Sequence, residues 1–414
     1  MGYTYDITTS KKDKRSMVGL SVCHLLYTVI NLFISTFLIA HIYSLTTDLF
    51  SYVLNVGIYQ FSSYLAMLIS YFLFSFIVDK TNRIWIYRIA NILEALLVVV
   101  TIFYGKDLAK IVYLAGMING LAHGAYYSSY NVLKQEMVSR KSMDKYVVVT
   151  NILMKIVKVV CPILLGTLIE ISTYTMVAIY VLIICVIQTF ISFFIRAKRP
   201  DDSTFNIKQY LKKIKENPQQ FKSVKMIYLM SIPYAFVSIV TALLNINIMM
   251  HFGSNFSLGL ITSVFAVVSV VVLMLLKKLT KAGKRGWLFL SVATVQIVGS
   301  VVFSIWPNIG TLLAFNLGLT VCDVIIVIVF DMYRNKHLKE LGYYDDIAEH
   351  QCIVESIFQS VRVCCFLFLI VLGLIKNYIL FQIFFVLFIA GYALTSILLM
   401  LYEKKSKIEN KKEL

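Results

Sequence analysis

The sequence predicts an all-α membrane protein whose twelve transmembrane helices are divided six and six. Apolar runs of about 20 residues, long enough to cross a bilayer core of about 30 Å, recur along the whole chain. Only 15% of the 414 residues are charged and the mean hydropathy is +0.79, whereas a soluble chain carries about 25% charged residues. A basic stretch at 196–222 separates the first six runs from the last six.

The twelve predicted helices follow one another through very short loops, which place consecutive helices antiparallel. Their ranges are 17–45, 49–78, 84–104, 108–135, 146–170, 172–195, 224–250, 256–277, 287–306, 309–333, 350–375 and 377–402. The first run is too long for a signal-peptide core and has no small-residue cleavage pattern, so we expect it to remain as a helix. The predicted domains are 1–195, a linker at 196–222, and 223–414.

The basic residues are distributed asymmetrically. All but six of the 39 Lys and Arg fall on one side of the predicted helices. The six exceptions lie in the opposite loops or inside helices: Lys106, Lys110, Lys376, Lys155, Lys158 and Arg362. This pattern puts both termini and the linker in the cytoplasm and the protein in the cytoplasmic membrane. The net charge of +17 then reflects topology and contact with lipid headgroups, and we expect no nucleic-acid partner.

The linker contains one predicted amphipathic helix. Its apolar stripe has the spacing i, i+3, i+4, i+7 and consists of Ile207, Tyr210, Leu211 and Ile214. Lysines fill the remaining positions, which predicts a helix on the inner membrane face. Ser203 and Thr204 are the expected N-caps, and Pro218 is expected to end the run.

Polar stripes at helical spacing recur in the first, fourth, seventh and tenth helices. They are Tyr27, Asn31 and Ser35; Asn119, His123, Tyr127 and Tyr130; Tyr234, Ser238, Thr241 and Asn245; and Asn316, Thr320 and Asp323. Such residues can simply bond between helices, but their recurrence in every third helix favours a lined pathway. We expect Asn31, Asn119, Tyr127, Tyr234 and Asn245 to contact a solute.

Two cations lie deep in apolar segments at matching places of the two halves. Lys158 recurs as Arg362, and Lys155, one turn earlier, recurs as Gln359. A cation in the middle of a bilayer is costly, so it usually faces a cavity or a protein interior. We therefore expect these four residues to bind an anionic or carboxylate-bearing solute, with Lys158 and Arg362 facing one another across it.

Four further titratable residues lie within the predicted helices: Asp323, His123, Glu355 and Glu94. In one interpretation they couple transport to protons, with Asp323 and His123 as the leading groups. In the other, the three acids neutralise the embedded cations, which are then structural, and His123 is a hydrogen-bonded packing residue. Gly116, Gly120 and Gly124 give the fourth helix a face of small residues suited to close packing.

The loop after the second helix reads Asp79-Lys80-Thr81-Asn82-Arg83. It resembles the signature G-x-x-x-D-(R/K)-x-x-R-(R/K) of the major facilitator superfamily, with Ser75 at the glycine and Ile84 at the last basic position. The resemblance covers the whole chain through the twelve helices, the 6+6 split and the basic linker. A degraded copy of the signature follows the eighth helix at 281–285.

The resemblance implies two six-helix bundles around a central cavity, alternating access, and a cytoplasmic gate formed by Asp79, Lys80 and Arg83. Two departures from the family's drug–proton antiporters stand out. The fourth helix has Gly120 to Gly124 without the expected arginine, and the fifth keeps Pro162 and a displaced Gly166. Drug–proton antiport by the usual residues is therefore not indicated.

The expected function is secondary transport of a small, anionic or carboxylate-bearing solute. No Walker loop, dinucleotide glycine motif, HExxH or GxSxG is present in the sequence, so we expect neither an enzyme nor a cofactor nor a metal site. The expected partners are the solute, membrane lipids and protons, with the chain as a monomer. Two alternatives stay open: an exporter of amphipathic, lipid-like or drug-like compounds, and a non-transporting receptor with the same fold.

Overall fold

The computed structural model describes residues 11–46, 48–80, 83–137, 143–196, 205–216, 218–279, 285–340 and 347–412. Within these ranges the chain is helical, with short turns and no β-strand. Large apolar side chains are found both in the core and on the exposed surface. A helix that is apolar on all sides is typical of a protein that lies in a membrane.

The described residues form fifteen α-helices, numbered in chain order. They are α1 Lys11–Leu32, α2 Ile39–Ser44, α3 Leu49–Lys80, α4 Arg83–Tyr104, α5 Val112–Met137, α6 Met143–Ile171, α7 Tyr174–Ser192, α8 Ile207–Glu216, α9 Pro218–Tyr234, α10 Val237–Phe252, α11 Asn255–Leu279, α12 Arg285–Ile305, α13 Ile309–Glu340, α14 Ile347–Ile375 and α15 Tyr378–Lys412. A π-helical turn, Phe33–Leu38, joins α1 to α2, and a 3₁₀ segment, Gly105–Ile111, joins α4 to α5.

The described part of the chain holds 11 stretches that are long and apolar enough to cross a membrane. The longest, Arg83–Lys134, has 52 residues, which is far more than one crossing needs. It folds back at Gly105–Ile111, so that α4 and α5 pack side by side. Counted separately, these two helices bring the number of crossings to about twelve, as the hydropathy pattern predicts.

The helices form two bundles that meet along two pairs of helices. The first bundle contains α1 to α7 and the second contains α9 to α15. Across the boundary α3 packs against α14, and α6 packs against α11. Within the first bundle, α5 packs on α3 through its glycines, because a Cβ at Gly120 would lie 2.0 Å from the carbonyl oxygen of Ser63. Only glycine allows this approach, which agrees with the predicted face of small residues.

The first helix of each bundle is irregular, which the apolar pattern does not predict. In the first bundle the irregularity is the π-helical turn Phe33–Leu38. In the second, the predicted run 224–250 is divided into α9 and α10 by a turn at residues 235–236. Pro233 lies two residues before this break, and it weakens the hydrogen-bond ladder of the helix there because proline lacks an amide hydrogen. Both irregularities lie beside the central cavity, which is lined by Leu32 and Val237.

The predicted linker helix is present as α8, and it packs on α9 and α14 of the second bundle. Its N-cap is Asn206, whose Oδ1 accepts a hydrogen bond from the amide of Gln209 at 3.1 Å; the expected caps, Ser203 and Thr204, lie outside the described residues. Tyr210 is buried, and its hydroxyl lies 2.9 Å from Nδ1 of His350. We call the membrane side that holds α8 the linker side, and the opposite side the far side.

One boundary differs from its sequence prediction. The linker was expected to extend to residue 222, but α9 begins at Pro218. The linker helix α8 ends at Glu216, just before the proline that was expected to end it. A proline is well suited to the first turn of a helix because its missing amide hydrogen would have no partner there. The first helix of the second bundle, α9, therefore starts inside the predicted linker.

Candidate functional site

A cavity of about 560 Å³ lies between the two bundles. Residues of α1, α6, α10, α11, α13 and α15 line it. The lining is largely aliphatic, with ten polar or charged members: Lys155, Lys158, Thr241, Asn245, Thr262, Ser269, Asn316, Thr320, Asp323 and Tyr392. A mostly apolar pocket with a few converging polar groups is the usual form of a small-molecule site.

Two lysines of α6 reach the cavity from one wall. Lys155 and Lys158 are three residues apart, so they lie on the same face of the helix, and both belong to the lining. Lys158 is exposed and Lys155 half-buried. Lys158 stands about 20 Å along the axis from the far-side end of α6 at Ile171. The cations are therefore deep in the membrane-spanning part of the helix, as the sequence indicates.

Asp323 supplies the only carboxylate among the described lining residues. It belongs to the stripe Asn316, Thr320 and Asp323 of α13, all three members of which line the cavity. The hydroxyl of Tyr392, on α15, donates a hydrogen bond to Oδ1 of Asp323. No ion pair within 4.0 Å joins Asp323 to Lys158 in the described part of the chain, although each charge lies within electrostatic range of the other.

Arg362 is placed differently from Lys158. It is absent from the lining of this cavity; instead, its guanidinium lies 5.2 Å from the ring centroid of Tyr64, on α3. Nη1 of Arg362 donates to Oε1 of Gln359 at 3.3 Å, and Nε2 of Gln359 donates to Oε2 of Glu355 at 2.9 Å. Arg362 thus connects the two bundles through an aromatic ring and reaches Glu355 only through a neutral amide.

The polar stripe of α5 packs mostly inside the first bundle. Asn119 is buried, and its Nδ2 donates to Oγ of Ser63 at 2.9 Å. Nδ1 of His123 lies 2.6 Å from the hydroxyl of Tyr27, and its ring stacks on Tyr127 with centroids 6.1 Å apart. These contacts give the polar stripe of α5, the fourth predicted helix, a packing role in this structure. Its spacing had also suggested that it contacts the solute.

The remaining predicted site residues lie at several places. Asn31 is half-buried on α1 and outside the cavity lining, and Tyr234 stacks on Phe330 with centroids 4.7 Å apart. Glu94 is buried in α4, 3% exposed. Its neighbours Asn91 and Gln188 are joined at 2.9 Å, which makes a polar cluster inside the first bundle.

The predicted gate is only partly described. The backbone of Asp79 and Lys80 ends α3, while their side chains lie outside the described residues. Arg83 begins α4 and is buried, with 7% of its surface exposed. The degraded copy at 281–285 also falls almost entirely outside the described ranges.

Three polar residues of the lining were not among the residues predicted from the sequence. Thr262 and Ser269 lie two turns apart on one face of α11, and Tyr392 is a lone phenol in the apolar helix α15. A helical plot of the eighth predicted helix would have found the first two, because seven residues return to the same face. Nothing in the sequence around Tyr392 indicates that it reaches Asp323.

The comparisons with known proteins agree with this architecture. The family model of the Major Facilitator Superfamily matches residues 17–338, which is more than three quarters of the chain. The chain belongs to the major facilitator superfamily. It is thus an integral membrane protein with the fold of a transporter, and such a fold implies a small-molecule substrate. None of the curated protein sequences compared with it is significantly similar.

Several solved structures share the superfamily fold with this chain. The nucleoside transporter NupG has a TM-score of 0.63 at 13% identity, covering 96% of this chain and 100% of its own. The human organic anion transporter MFSD10 (TETRAN) has a TM-score of 0.63 at 11% identity, covering 94% of this chain and 99% of its own. A bacterial homologue of the iron transporter ferroportin, in its inward-facing state, has a TM-score of 0.64 at 12% identity, covering 95% of this chain and 98% of its own. At these identities the likeness concerns the fold.

Proposed function

We propose that the protein is a secondary active transporter that moves a small, anionic or carboxylate-bearing solute across the cytoplasmic membrane. One observation carries the proposal: two lysines of α6, Lys155 and Lys158, line a deep cavity in which the described residues supply only one carboxylate. Unpaired cations at this depth are costly, and a solute carboxylate between them relieves that cost through charge-assisted hydrogen bonds.

Hydroxyl and amide groups on the other walls support the same assignment. Thr241, Asn245 and Asn316 offer donors and acceptors to the rest of the solute, and the aliphatic lining excludes water from the bound state. A relative with the same fold, the human MFSD10, is named as an organic anion transporter, which agrees with this class of solute.

Alternating access is the proposed mechanism, with 1–195 and 223–414 moving as the two halves. The helix pairs α3–α14 and α6–α11 join these halves, so they are the contacts that must change as access alternates. We assign Asp79, Lys80 and Arg83 to the gate and place the linker side in the cytoplasm because Lys and Arg concentrate there. Arg362, stacked on Tyr64, belongs to the moving contact between halves in this scheme.

Protons are the proposed coupling ion. Asp323 is the acid that a proton can reach from the cavity, which it lines. Glu355 is half-buried beside Gln359, whereas His123 is held by Tyr27 and Glu94 is buried in the first bundle. We therefore rank Asp323 first and the three other groups behind it.

The test is the substitution Lys158→Gln. It removes the charge and leaves a polar side chain that is shorter by one bond, so binding of carboxylate solutes should weaken by about tenfold or more, the value of a lost charge-assisted hydrogen bond. Thermal shifts of the purified protein with a panel of carboxylates measure binding, and uptake into proteoliposomes measures transport. The matched control is Lys110→Gln, because Lys110 lies in the Gly105–Ile111 segment and pairs with Asp107 at 2.6 Å. Equal binding by both variants would refute an anionic solute.

A receptor with the same fold is distinguished by the gate. Asp79→Asn should slow transport severalfold while solute binding stays at the wild-type level, because the residue is at the end of α3, a helix that contributes no described residue to the cavity lining. A receptor would show no flux into proteoliposomes in the wild type and no effect of this variant. Binding that falls in step with flux would assign the residue to folding.

A further inference from the structure

The cavity contains a cation and an anion that the fold keeps apart. Lys158 enters from α6 and Asp323 from α13, and both side chains line the same space. Within the described residues neither forms an ion pair, since no oxygen of Asp323 lies within 4.0 Å of the lysine nitrogen. Opposite charges at this depth gain much from direct contact, and their separation in this structure leaves room for a third group between them.

Each of these two charged side chains, which line the cavity, has a polar atom without a hydrogen bond from the described residues. The hydroxyl of Tyr392 binds Oδ1 of Asp323 and so fixes the carboxylate on its wall. No hydrogen bond from the described residues reaches Oδ2 of Asp323 or Nζ of Lys158. A charged group in a low-dielectric site is stable only when it is paired. The bound solute is the natural partner for both.

We infer that the solute is an amino acid-like zwitterion, whose carboxylate binds Lys158 and whose cationic amine binds Asp323. This inference rests on the proposed carboxylate binding at Lys158 and extends it to the opposite wall. A simple carboxylate would leave Asp323 unpaired beside a second negative charge, and a simple amine would face two lysines. A neutral solute would leave all three charges unpaired. A compound with both groups satisfies the two walls at once.

The second lysine refines the class of solute. Lys155 lines the cavity one turn from Lys158, towards the linker side. Two cations and one carboxylate on the wall match two carboxylates and one amine on the solute, which is the charge pattern of an acidic amino acid. The solute amine and a coupling proton would then compete for Asp323, since a protonated carboxyl cannot pair with an ammonium group.

Matched compounds test the inference in the wild-type protein. L-glutamate and glutarate share a five-carbon skeleton and differ only in the amine, and 4-aminobutyrate is L-glutamate without its α-carboxylate. Thermal shift gives relative affinities because a ligand stabilises the folded state in proportion to RT ln(1 + [L]/Kd). We expect L-glutamate to bind about tenfold or more tightly than glutarate, as one charge-assisted contact is added. Equal affinities for the two would overturn the inference.

A variant then assigns the amine contact to its residue. Asp323→Asn should abolish the preference of L-glutamate over glutarate and leave glutarate binding in place, while Lys158→Gln weakens both. Glu170→Gln is the control, because Glu170 lies near the far-side end of α6 and is exposed, away from the cavity lining. If Asp323→Asn fails to fold, Asp323→Glu should fold and keep the preference, and the wild-type comparison still decides.

The two proposals fail in different ways. Glutarate that binds as well as L-glutamate, with Lys158→Gln impaired for both, overturns the zwitterion and leaves an anion transporter. Carboxylates that bind Lys158→Gln normally overturn the proposed function itself, whatever Asp323→Asn does. Binding of 4-aminobutyrate as tight as that of L-glutamate would exclude a role for the second carboxylate and hence for Lys155.

Discussion

The hydroxyl of Tyr27 and Nδ1 of His123 lie 2.6 Å apart, and His24 and Tyr126 form the same kind of pair, also at 2.6 Å, in the reverse order. Each helix contributes one histidine and one tyrosine, three residues apart, so the two bonds cross the α1–α5 contact side by side. The rings of Tyr27 and Tyr126 stack between them, with centroids 3.5 Å apart. Together the four side chains fix the register of α1 on α5.

Tyr27→Phe should therefore lower the stability of the first bundle. The ring and its stacking remain, but Nδ1 of the half-buried His123 loses its partner, at a cost of about 0.5–1.5 kcal/mol, the net contribution of one hydrogen bond. The melting temperature in detergent measures this loss. Tyr113→Phe is the control, because Tyr113 is 51% exposed, and it should melt like the wild type. Equal melting temperatures for the two variants would show that the hydrogen bond contributes nothing to stability.

Gly259→Ala should disturb the closure of the far side. A Cβ at Gly259 would lie 2.3 Å from the carbonyl oxygen of Pro162, so α6 and α11 must separate, at a cost of about 1–3 kcal/mol for overpacking. Spin labels at 172 and 256 should report longer distances than in the wild type, and transport should fall.

The matched control for this prediction is Gly318→Ala. Its added Cβ would meet a side-chain atom, Cγ1 of Val295 at 3.1 Å, which can move by a few tenths of an ångström. Unchanged spin-label distances in Gly259→Ala would mean that the backbones adjust without opening the far side.

Tyr210→Ala should release α8 from the second bundle. Tyr210 is 1% exposed and packs with Ile214 and Val224, so truncation removes up to about 3–5 kcal/mol of buried aromatic contact. Hydrogen exchange of amides in Ile207–Glu216 should accelerate. Leu211→Ala, on the exposed side of the same helix, should change the exchange rate of these amides little. Comparable exchange in both variants would contradict a docked helix.

Cysteine labelling should place the linker side in the cytoplasm. In a background without the seven native cysteines, a cysteine replacing Lys208 should react only from the cytoplasm, and one replacing Lys106 only from outside. Both positions are exposed in the structure. The basic-residue asymmetry is the physical reason. The reverse labelling pattern would invert the topology.

Most of the fold follows from the sequence because the bilayer constrains it so strongly. A helix is the only way for a single apolar run to satisfy its backbone in lipid, so length and hydropathy locate each crossing. The predicted ends at 104, 170 and 306 fall within a residue of the observed ends at Tyr104, Ile171 and Ile305. The π-helical turn Phe33–Leu38 and the break after Pro233 are exceptions. The proline was visible, but prolines inside membrane helices often only bend them.

The site could be predicted only in part. Spacing placed Lys155, Lys158 and Asp323 on inward faces, because one helix fixes which residues share a face. Contacts between helices far apart in the chain cannot be obtained in this way. The bond from Tyr392 to Asp323 joins α15 to α13, and the stacking of Arg362 on Tyr64 joins α14 to α3. The repeat suggested that Arg362 and Lys158 are equivalent, whereas their neighbours differ.

The π-helical turn Phe33–Leu38 and the break after Pro233 divide the first helix of each bundle beside Leu32 and Val237 of the cavity. A helix is stiff along its regular parts and yields where its hydrogen-bond ladder is interrupted. Each bundle therefore carries a joint next to the solute. In the proposed transport cycle, the segments above and below these joints can tilt separately when the solute binds, so that half a helix moves towards the cavity within the larger movement of the two halves.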